Sequence, residues 1–380
     1  MYYHIFTERD STIYEKYPNK NTGIDEILEL VKIASGSLSE GFYQSNTFNS
    51  RILLDFATQL TEISNSIVSG EIPTASIANG SQFFLSLKAM NAESLPISYS
   101  LVAYPVSESW VNGTGYYNDR PETRNGVSWY YRDSYDQATS WNTSSTSGNS
   151  GFSNGTTFNG GGNWYTGSLY EATQSFNYGS PDVRLNITNM VDFWLKSGSS
   201  YNNGIIIKRP EIDEKSGDEF GTLQFFGKDT HTIYVPKIEV AWDDSSIDTT
   251  GLDELSDDNI TLYFKNLKSE YLENTKTKLR IVGRKTYPTK TYSTASFYSR
   301  VEHLPTSSYY AVKDAVTDET IIPFDHTFTK ISCDSTGNYF NIRLNSFLPE
   351  RTYKFVIKTV NDGGDNTRYH DNGYFFKVVR

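Results

Sequence analysis

The chain has 380 residues, enough for two domains that each bury a core. Its net charge of −11 argues against DNA or RNA as a partner, because neutralising phosphates needs a surplus of Lys and Arg. The 28 Tyr and 22 Phe are strand formers set among turn-forming Asn, Ser, Thr and Gly, and this mixture predicts an all-β protein.

In chain order, the first strand candidate is Tyr2–Phe6, followed by Asp10 and Ile13-Tyr14. A polar turn, Asn19 to Gly23, leads into Ile27–Ile33. There the charges Glu29 and Lys32 stand three apart, so periodicity leaves strand and short helix open. Ser50–Leu60 (SRILLDFATQL) reads as a buried strand and Ser81–Met90 (SQFFLSLKAM) as another, with Phe83, Leu85 and Leu87 alternating toward the core. Tyr99–Val106 is a third. From Asn112 to Gly167 the pattern dissolves into Gly, Ser, Asn and Thr with recurring aromatics. Asp182–Ile187 alternates again. Thr188–Leu195 suits one or two amphipathic helical turns with Thr188 as N-cap, and Ile205–Lys208, Thr222–Phe226 and Ile233–Trp242 read as strands.

Residues 1–245 hold 16 Lys and Arg against 28 Asp and Glu, whereas residues 246–380 hold 18 against 17. All six Trp lie between Trp110 and Trp242. This break predicts a domain over 1–245, an acidic linker over 246–257 and a second domain over 258–380. Seven or so short strands in the second domain, including Ile260–Leu267, Lys278–Gly283, Tyr309–Lys313, Thr329–Ser332, Tyr339–Leu344, Thr352–Val360 and Tyr374–Val379, suit an immunoglobulin-like sandwich. The single Cys333 excludes an internal disulfide and fits a small core residue. The opening MYYHIFTERDSTIYEKY has charges where a signal peptide has an apolar stretch, and no run is long enough to span a membrane. The expectation is a protein made in the cytoplasm, with no membrane partner.

The first 242 residues resemble the DNRLRE family of carbohydrate-binding β-sandwich modules. The resemblance rests on short motifs in order: Asp10, Ile13 and Asn21-Thr22-Gly23; Arg51–Phe56 (RILLDF); Ser107–Gly115 (SESWVNGTG); and Asn125–Trp129 (NGVSW). Trp141 with Gly160–Gly162, Leu185–Leu195, Asn203–Ile207 and Tyr234–Trp242 continue it. Two positions depart from the family pattern: Asn112 stands where the family has an acidic residue, and Lys237 follows Pro236 where it has an apolar one. The resemblance implies a jelly-roll-like β-sandwich for residues 1–245. Family members in bacteria are secreted, and the lack of a signal peptide is reconciled if the chain is a tailed-bacteriophage virion protein that assembles in the host cytoplasm.

Catalytic signals are scattered. His4, His231, His303, His326 and His370 show no HxH or HExxH spacing, and no nucleophile, base and stabiliser come together, so no enzyme is expected. No cofactor is implied. Acidic turns at Asp362 and Asp365, and at Asp244, Asp248, Asp253 and Asp257-Asp258, match no EF-hand loop and read as solvated turns. Gly113-Thr114-Gly115 precedes no helix and is not a phosphate loop. The aromatics Trp129, Tyr130, Tyr131, Trp141, Trp164 and Tyr165 are the sharpest signal. Three readings are open for them: core plugs, protein-interface anchors, or platforms for sugar rings. The function expected is a non-enzymatic virion structural protein of the tail, neck or baseplate, or a decoration, packing against other virion proteins and copies of itself. The rival is an adhesion module that binds a surface polysaccharide.

Overall fold

The computed structural model describes residues 1–39, 42–78, 80–135, 138–142, 160–255, 259–287, 301–361 and 366–380. The chain is all-β, with strands gathered into facing sheets, and it divides into two compact units. One unit is Ile5–Glu239. The other joins Met1–His4 to Val240–Arg380.

The first unit has two main sheets. The smaller is built on Gln82–Leu87, with Val183–Asn186 on one side and Lys237–Ala241, as far as Glu239, on the other. The larger runs Ala172–Asn177, Ser98–Pro105, Ile205–Lys208, Phe42–Asp55, Ile27–Ser39, Gly221–Phe226, Ala89–Glu93, with Arg9–Tyr14 also paired to Phe42–Asp55. Phe83, Leu85 and Leu87 are all buried, as their alternation predicts. Ile27–Ser39 is a strand, which settles the choice that its sequence left open.

Three local expectations are corrected. Ser81–Met90 is not one strand. It breaks at Lys88, so Gln82–Leu87 pairs in the smaller sheet and Ala89–Glu93 in the larger. Asp182 holds the crossing point by accepting from Ala89 N–H at 2.9 Å and Lys88 Nζ at 3.0 Å. The strand predicted to reach Leu60 stops at Asp55, and Ala57–Val68 forms helix α1. The Asp55 carboxylate accepts from Ala57 N–H at 3.1 Å, and Leu60 and Ile63, three apart, bury on one helix face. Thr188 is not an N-cap but the first residue of helix α2, Thr188–Ser197. Its hydroxyl accepts from Phe83 N–H at 2.9 Å, while Asn186 Oδ1 accepts from its N–H.

The central strands of the larger sheet are buried on both faces. Leu53 lies opposite Ile206 and Ser11, and Ile13 opposite Arg51, so Ile13, Arg51, Leu53 and Ile206 share one face. Ile52, Leu54, Ile205 and Ile207, all fully buried, take the other. Period-2 alternation therefore turns Arg51, and Lys208 two residues beyond Ile206, onto the face of Leu53.

One hairpin outruns its sheet. Phe42–Asp55 and Ile27–Ser39 pair from Lys32↔Asn49 out to Ser39↔Phe42. Gly221–Phe226 follows Ile27–Ser39 only as far as Lys32, and Arg9–Tyr14 follows Phe42–Asp55 only as far as Ser50. Among the described residues, the seven rungs from Ile33↔Phe48 to Ser39↔Phe42 have no third strand. They form a two-stranded arm about 23 Å long at the usual rise per residue.

The second unit is a sandwich. A four-stranded sheet (Ile260–Phe264, Lys276–Lys285, Gly337–Arg343, Ser332–Asp334) faces a five-stranded one (Glu270–Leu272, Asn366–Val379, Arg351–Asn361, Ser308–Asp314, Thr320–Ile322). Aromatic rings lock the two layers: Tyr310 stacks on Phe340 at 4.2 Å and Phe355 meets Phe340 at 5.4 Å. Cys333 is buried, and burial pushes its thiol pKa up. The stretch read as an acidic linker pairs within this unit: Ile247 bridges Cys333, and Asp253–Glu254 pairs with Glu302–His303.

Candidate functional site

The Gly/Asn-rich segment of the first unit does not stand off as an open loop where it is described. It covers the Leu53 face of the larger sheet as a third layer. Trp110, Val127, Trp129, Trp141 and Trp164 pack there with Ile13, Leu53, Val106 and Ile206. Trp129 and Trp141 are 1% exposed and Trp164 is 2%. These three were candidates for glycan or partner contact. The structure corrects that: buried rings have no free face for a sugar or another chain, and they are core plugs. The middle of the loop, residues 143–159, lies outside the described residues.

The sequence motifs meet in this layer. Asn21 is a hub that uses its whole amide. Its Nδ2 donates to Asn112 O at 2.7 Å and Val127 O at 2.8 Å, and its Oδ1 accepts from Gly115 N–H at 2.8 Å and Gly23 N–H at 3.2 Å. The turn Gly113–Gly115 is thus bound to the turn at Asn21, and a side chain at Gly113 would collide with Asn21 and Asn125. The Gly160–Gly162 run has an equally local cause. A Cβ at Gly160 would fall 2.4 Å from Trp129 O, and one at Gly161, where φ is +87°, would fall 2.5 Å from Arg51 Nη1.

Beneath the Trp layer lies a charged cluster that sequence reasoning missed. Arg51 forks onto Glu214, with Nε to Oε1 at 3.0 Å and Nη2 to Oε2 at 2.8 Å. Lys208 Nζ reaches the same Oε2 at 2.7 Å. Arg51 also donates to Gly161 O at 2.6 Å and lies over the Trp129 and Trp164 rings, 4.8 and 5.1 Å from their centroids. Lys208 lies 5.3 Å from the Trp164 centroid. All three side chains are buried. Burial pushes Glu214 up, but Arg51 and Lys208 outweigh it and hold the carboxyl below its usual range. Burial lowers the Lys208 ammonium, with Glu214 opposing. Glu214 comes from a short helix, α3 (Glu211–Lys215), whose carbonyl end is tied down by Lys32 Nζ through Ser216 O at 2.7 Å, as well as Asp213 O and Glu214 O. The one available signal was that Arg51 and Lys208 adjoin the apolar runs Ile52–Leu54 and Ile205–Ile207, and two cations buried with such strands require an anion.

Among the described residues of this unit, one partly accessible feature is a cluster of rings around α2. Tyr165, Tyr170, Phe193 and Tyr201 lie with centroids 4.8 to 6.3 Å apart. Tyr201 is 41% exposed, and nearby in sequence Leu169 is 65% exposed. Of the six predicted contact residues, Tyr165 belongs to this cluster. Tyr130 and Tyr131 form a separate half-buried pair, with their rings 6.3 Å apart and nearly perpendicular. The other side of α2 (Val191, Trp194, Leu195) and α1 (Leu60, Thr61) border a cavity of about 240 Å³. The Phe193 ring meets Tyr170 at 68° and Tyr201 at 74°.

Among the described residues, no three His, Cys, Asp or Glu side chains gather to hold a metal. Asp257-Asp258, Asp362 and Asp365, read from the sequence as solvated turns, lie outside the described residues. Asp244 pairs with the Met1 amine at 3.0 Å, and Asp248 accepts from Thr250 N–H at 3.1 Å.

No family model matches the chain, and no curated protein matches it. Among solved structures, the FMN-binding β-glucuronidase from Facaelibacterium prausnitzii L2-6 aligns with 97% of this chain but only 39% of its own, at 9% identity and a TM-score of 0.14, a likeness that carries no inference about fold or function.

Proposed function

We propose that the chain is a non-enzymatic structural component of a tailed-bacteriophage virion, working by packing against copies of itself. The observation that carries this reading is the two-stranded arm from Ile33↔Phe48 outward. A two-stranded ribbon alone is marginal in water, and its open edges are templates for further pairing. A neighbour that supplies a third strand or a face would stabilise it. The ring cluster at Tyr165, Tyr170, Phe193 and Tyr201 supports the same reading. Its Phe193 ring meets Tyr165, Tyr170 and Tyr201 edge to face, a packed knob suited to a protein pocket more than a flat platform for a sugar. The virion as the assembly rests on the family resemblance and on the Tyr-, Asn- and Ser-rich composition.

The test is solution mass by sedimentation across a hundredfold concentration range. The full chain is compared with a variant in which residues 34–46 are replaced by a two-residue turn. Self-association that the arm-trimmed variant loses is the expected result. Identical monomeric masses for both chains at every concentration would remove the proposal.

A further inference from the structure

The root of the two-stranded arm brings an amine, an amide and a carboxyl together. Lys32 and Asn49 are directly opposed on Ile27–Ser39 and Phe42–Asp55, at the rung just before the arm leaves the sheet. Glu15 follows Arg9–Tyr14 and keeps its register. Its N–H donates to Asn49 O at 3.0 Å, one step past Tyr14↔Ser50. Alternation places Asn49 on the sheet face of Arg51, which is the face that α3 covers.

The side chains converge on shared atoms. Glu214 O accepts from Lys32 Nζ at 3.2 Å and from Asn49 Nδ2 at 3.4 Å, so one carbonyl oxygen holds both nitrogens. Asn49 Nδ2 also donates to Glu15 Oε2 at 3.0 Å, and the Asn49 main-chain N–H donates to the same oxygen at 2.9 Å. Lys32 is 0% exposed and Asn49 is 6% exposed. The Phe220 ring centroid lies 5.4 Å from Lys32 Nζ. Asn49 Oδ1 is buried with no hydrogen-bond partner, a cost that an amide kept for structure alone avoids. Burial lowers the Lys32 ammonium, with Glu214 and Asp213 opposing. Burial also pushes the Glu15 carboxyl up, with hydrogen bonds from Asn49 opposing. Both shifts favour the uncharged forms, an amine that can attack and an acid that can give a proton.

We propose that Lys32 and Asn49 join in an intramolecular isopeptide bond, with Glu15 as proton donor to the leaving nitrogen. Lys32 Nζ, having lost one proton to solvent, attacks Asn49 Cγ and forms the new C–N bond. The Cγ–Nδ2 bond breaks, and Nδ2 takes a proton from Glu15 and leaves as ammonia. Nζ sheds a second proton, which restores Glu15. Nothing is oxidised or reduced, and the chain loses one ammonia and one positive charge. Opposed positions on paired strands replace a chance encounter between the two groups. The bond would clamp the two strands where the arm begins, and it is independent of what the arm packs against.

Mass spectrometry of the full chain tests this. The wild type should be lighter than its sequence by about 17 Da, the mass of one ammonia. Trypsin should fail to cut after Lys32 and leave residues 21–51 as one peptide that carries the deficit. Lys32→Arg and Glu15→Gln, each with the circular dichroism of the wild type, should keep their full mass. Three results overturn the proposal. One is a wild-type chain at full mass after prolonged incubation, which leaves Lys32 as a cap on the carbonyls of α3. Another is a deficit outside residues 21–51, or one that mild alkali reverses, which marks an asparagine succinimide. The third is a folded Glu15→Gln chain that shows the same deficit as the wild type.

Discussion

Replacing Glu214 by Gln removes one charge and almost no volume, and leaves Arg51 and Lys208 buried around a neutral amide. Both cations bond Glu214, through contacts of 2.7 to 3.0 Å. Breaking a buried pair by deleting one partner costs about 3–5 kcal/mol, because the remaining charge stays desolvated. The Ile5–Glu239 unit spans 235 residues, a size for which 1 kcal/mol moves a melting point by about 2–4 °C, so the variant should melt roughly 6–20 °C lower. Urea unfolding followed by tryptophan fluorescence reads this unit, since it holds five of the six Trp. A pH signature should accompany the loss. Lys208 already has a lowered folded-state pKa, and losing Glu214 lowers it further. Above that folded pKa the unfolded chain binds more protons than the folded one, so the stability of the variant should climb with pH up to the unfolded value near 10.5, more steeply than that of the wild type. The triple change Arg51→Met, Lys208→Met, Glu214→Leu should recover most of the loss, leaving the donor to Gly161 O as the main deficit, about 1 kcal/mol. A Glu214→Gln chain within about 1 kcal/mol of the wild type, with no added pH slope, would refute the reasoning.

Gly161→Ala should lose about 2–4 kcal/mol, since φ is +87° and the new Cβ meets Arg51 and Trp129, whereas Gly217→Ala, with open space around it, should be near neutral; urea midpoints separate the two. Trp164→Ala should cost about 3–5 kcal/mol as a core truncation, and a variant of wild-type stability would show that the ring is not a core plug. In the second unit, hydrogen bonds from Arg280, Thr336 and Lys278 outweigh burial and hold Asp334 well below the usual carboxylate range. A depressed acid lends stability above its unfolded pKa near 3.8 and loses it as pH falls below, so Arg280→Ala should flatten the acid limb of the stability curve below pH 4 while changing its shape little at neutral pH.

The sequence alone determined the strand content and much of the strand placement. Local alternation, as at Phe83, Leu85 and Leu87, acts within a few residues and is readable without the fold. It also marked Thr188–Leu195 as helical from its amphipathic pattern. It did not reveal that Ala57–Val68 leaves the strand for a helix. Leu60 and Ile63 fit a helical face as well as they fit a buried run, and the covering elements arbitrate.

What only the tertiary structure decided is what lies over each sheet face. Parity fixes that Arg51 points with Leu53 and Lys208 with Ile206, but not the register that puts both pairs on one face, nor that a Gly- and Trp-rich segment folds back to bury them. That layer turns three candidate contact tryptophans into core and gives two strand cations a shared buried carboxylate from α3. The same holds for Asp10 and Lys228, separated by more than 200 residues, where Asp10 Oδ2 accepts from Lys228 N–H at the turn that follows the pairing of Phe226 with Ile27. Alternation is a property of the backbone within one strand, whereas burial and electrostatics are set by whatever the chain places against it.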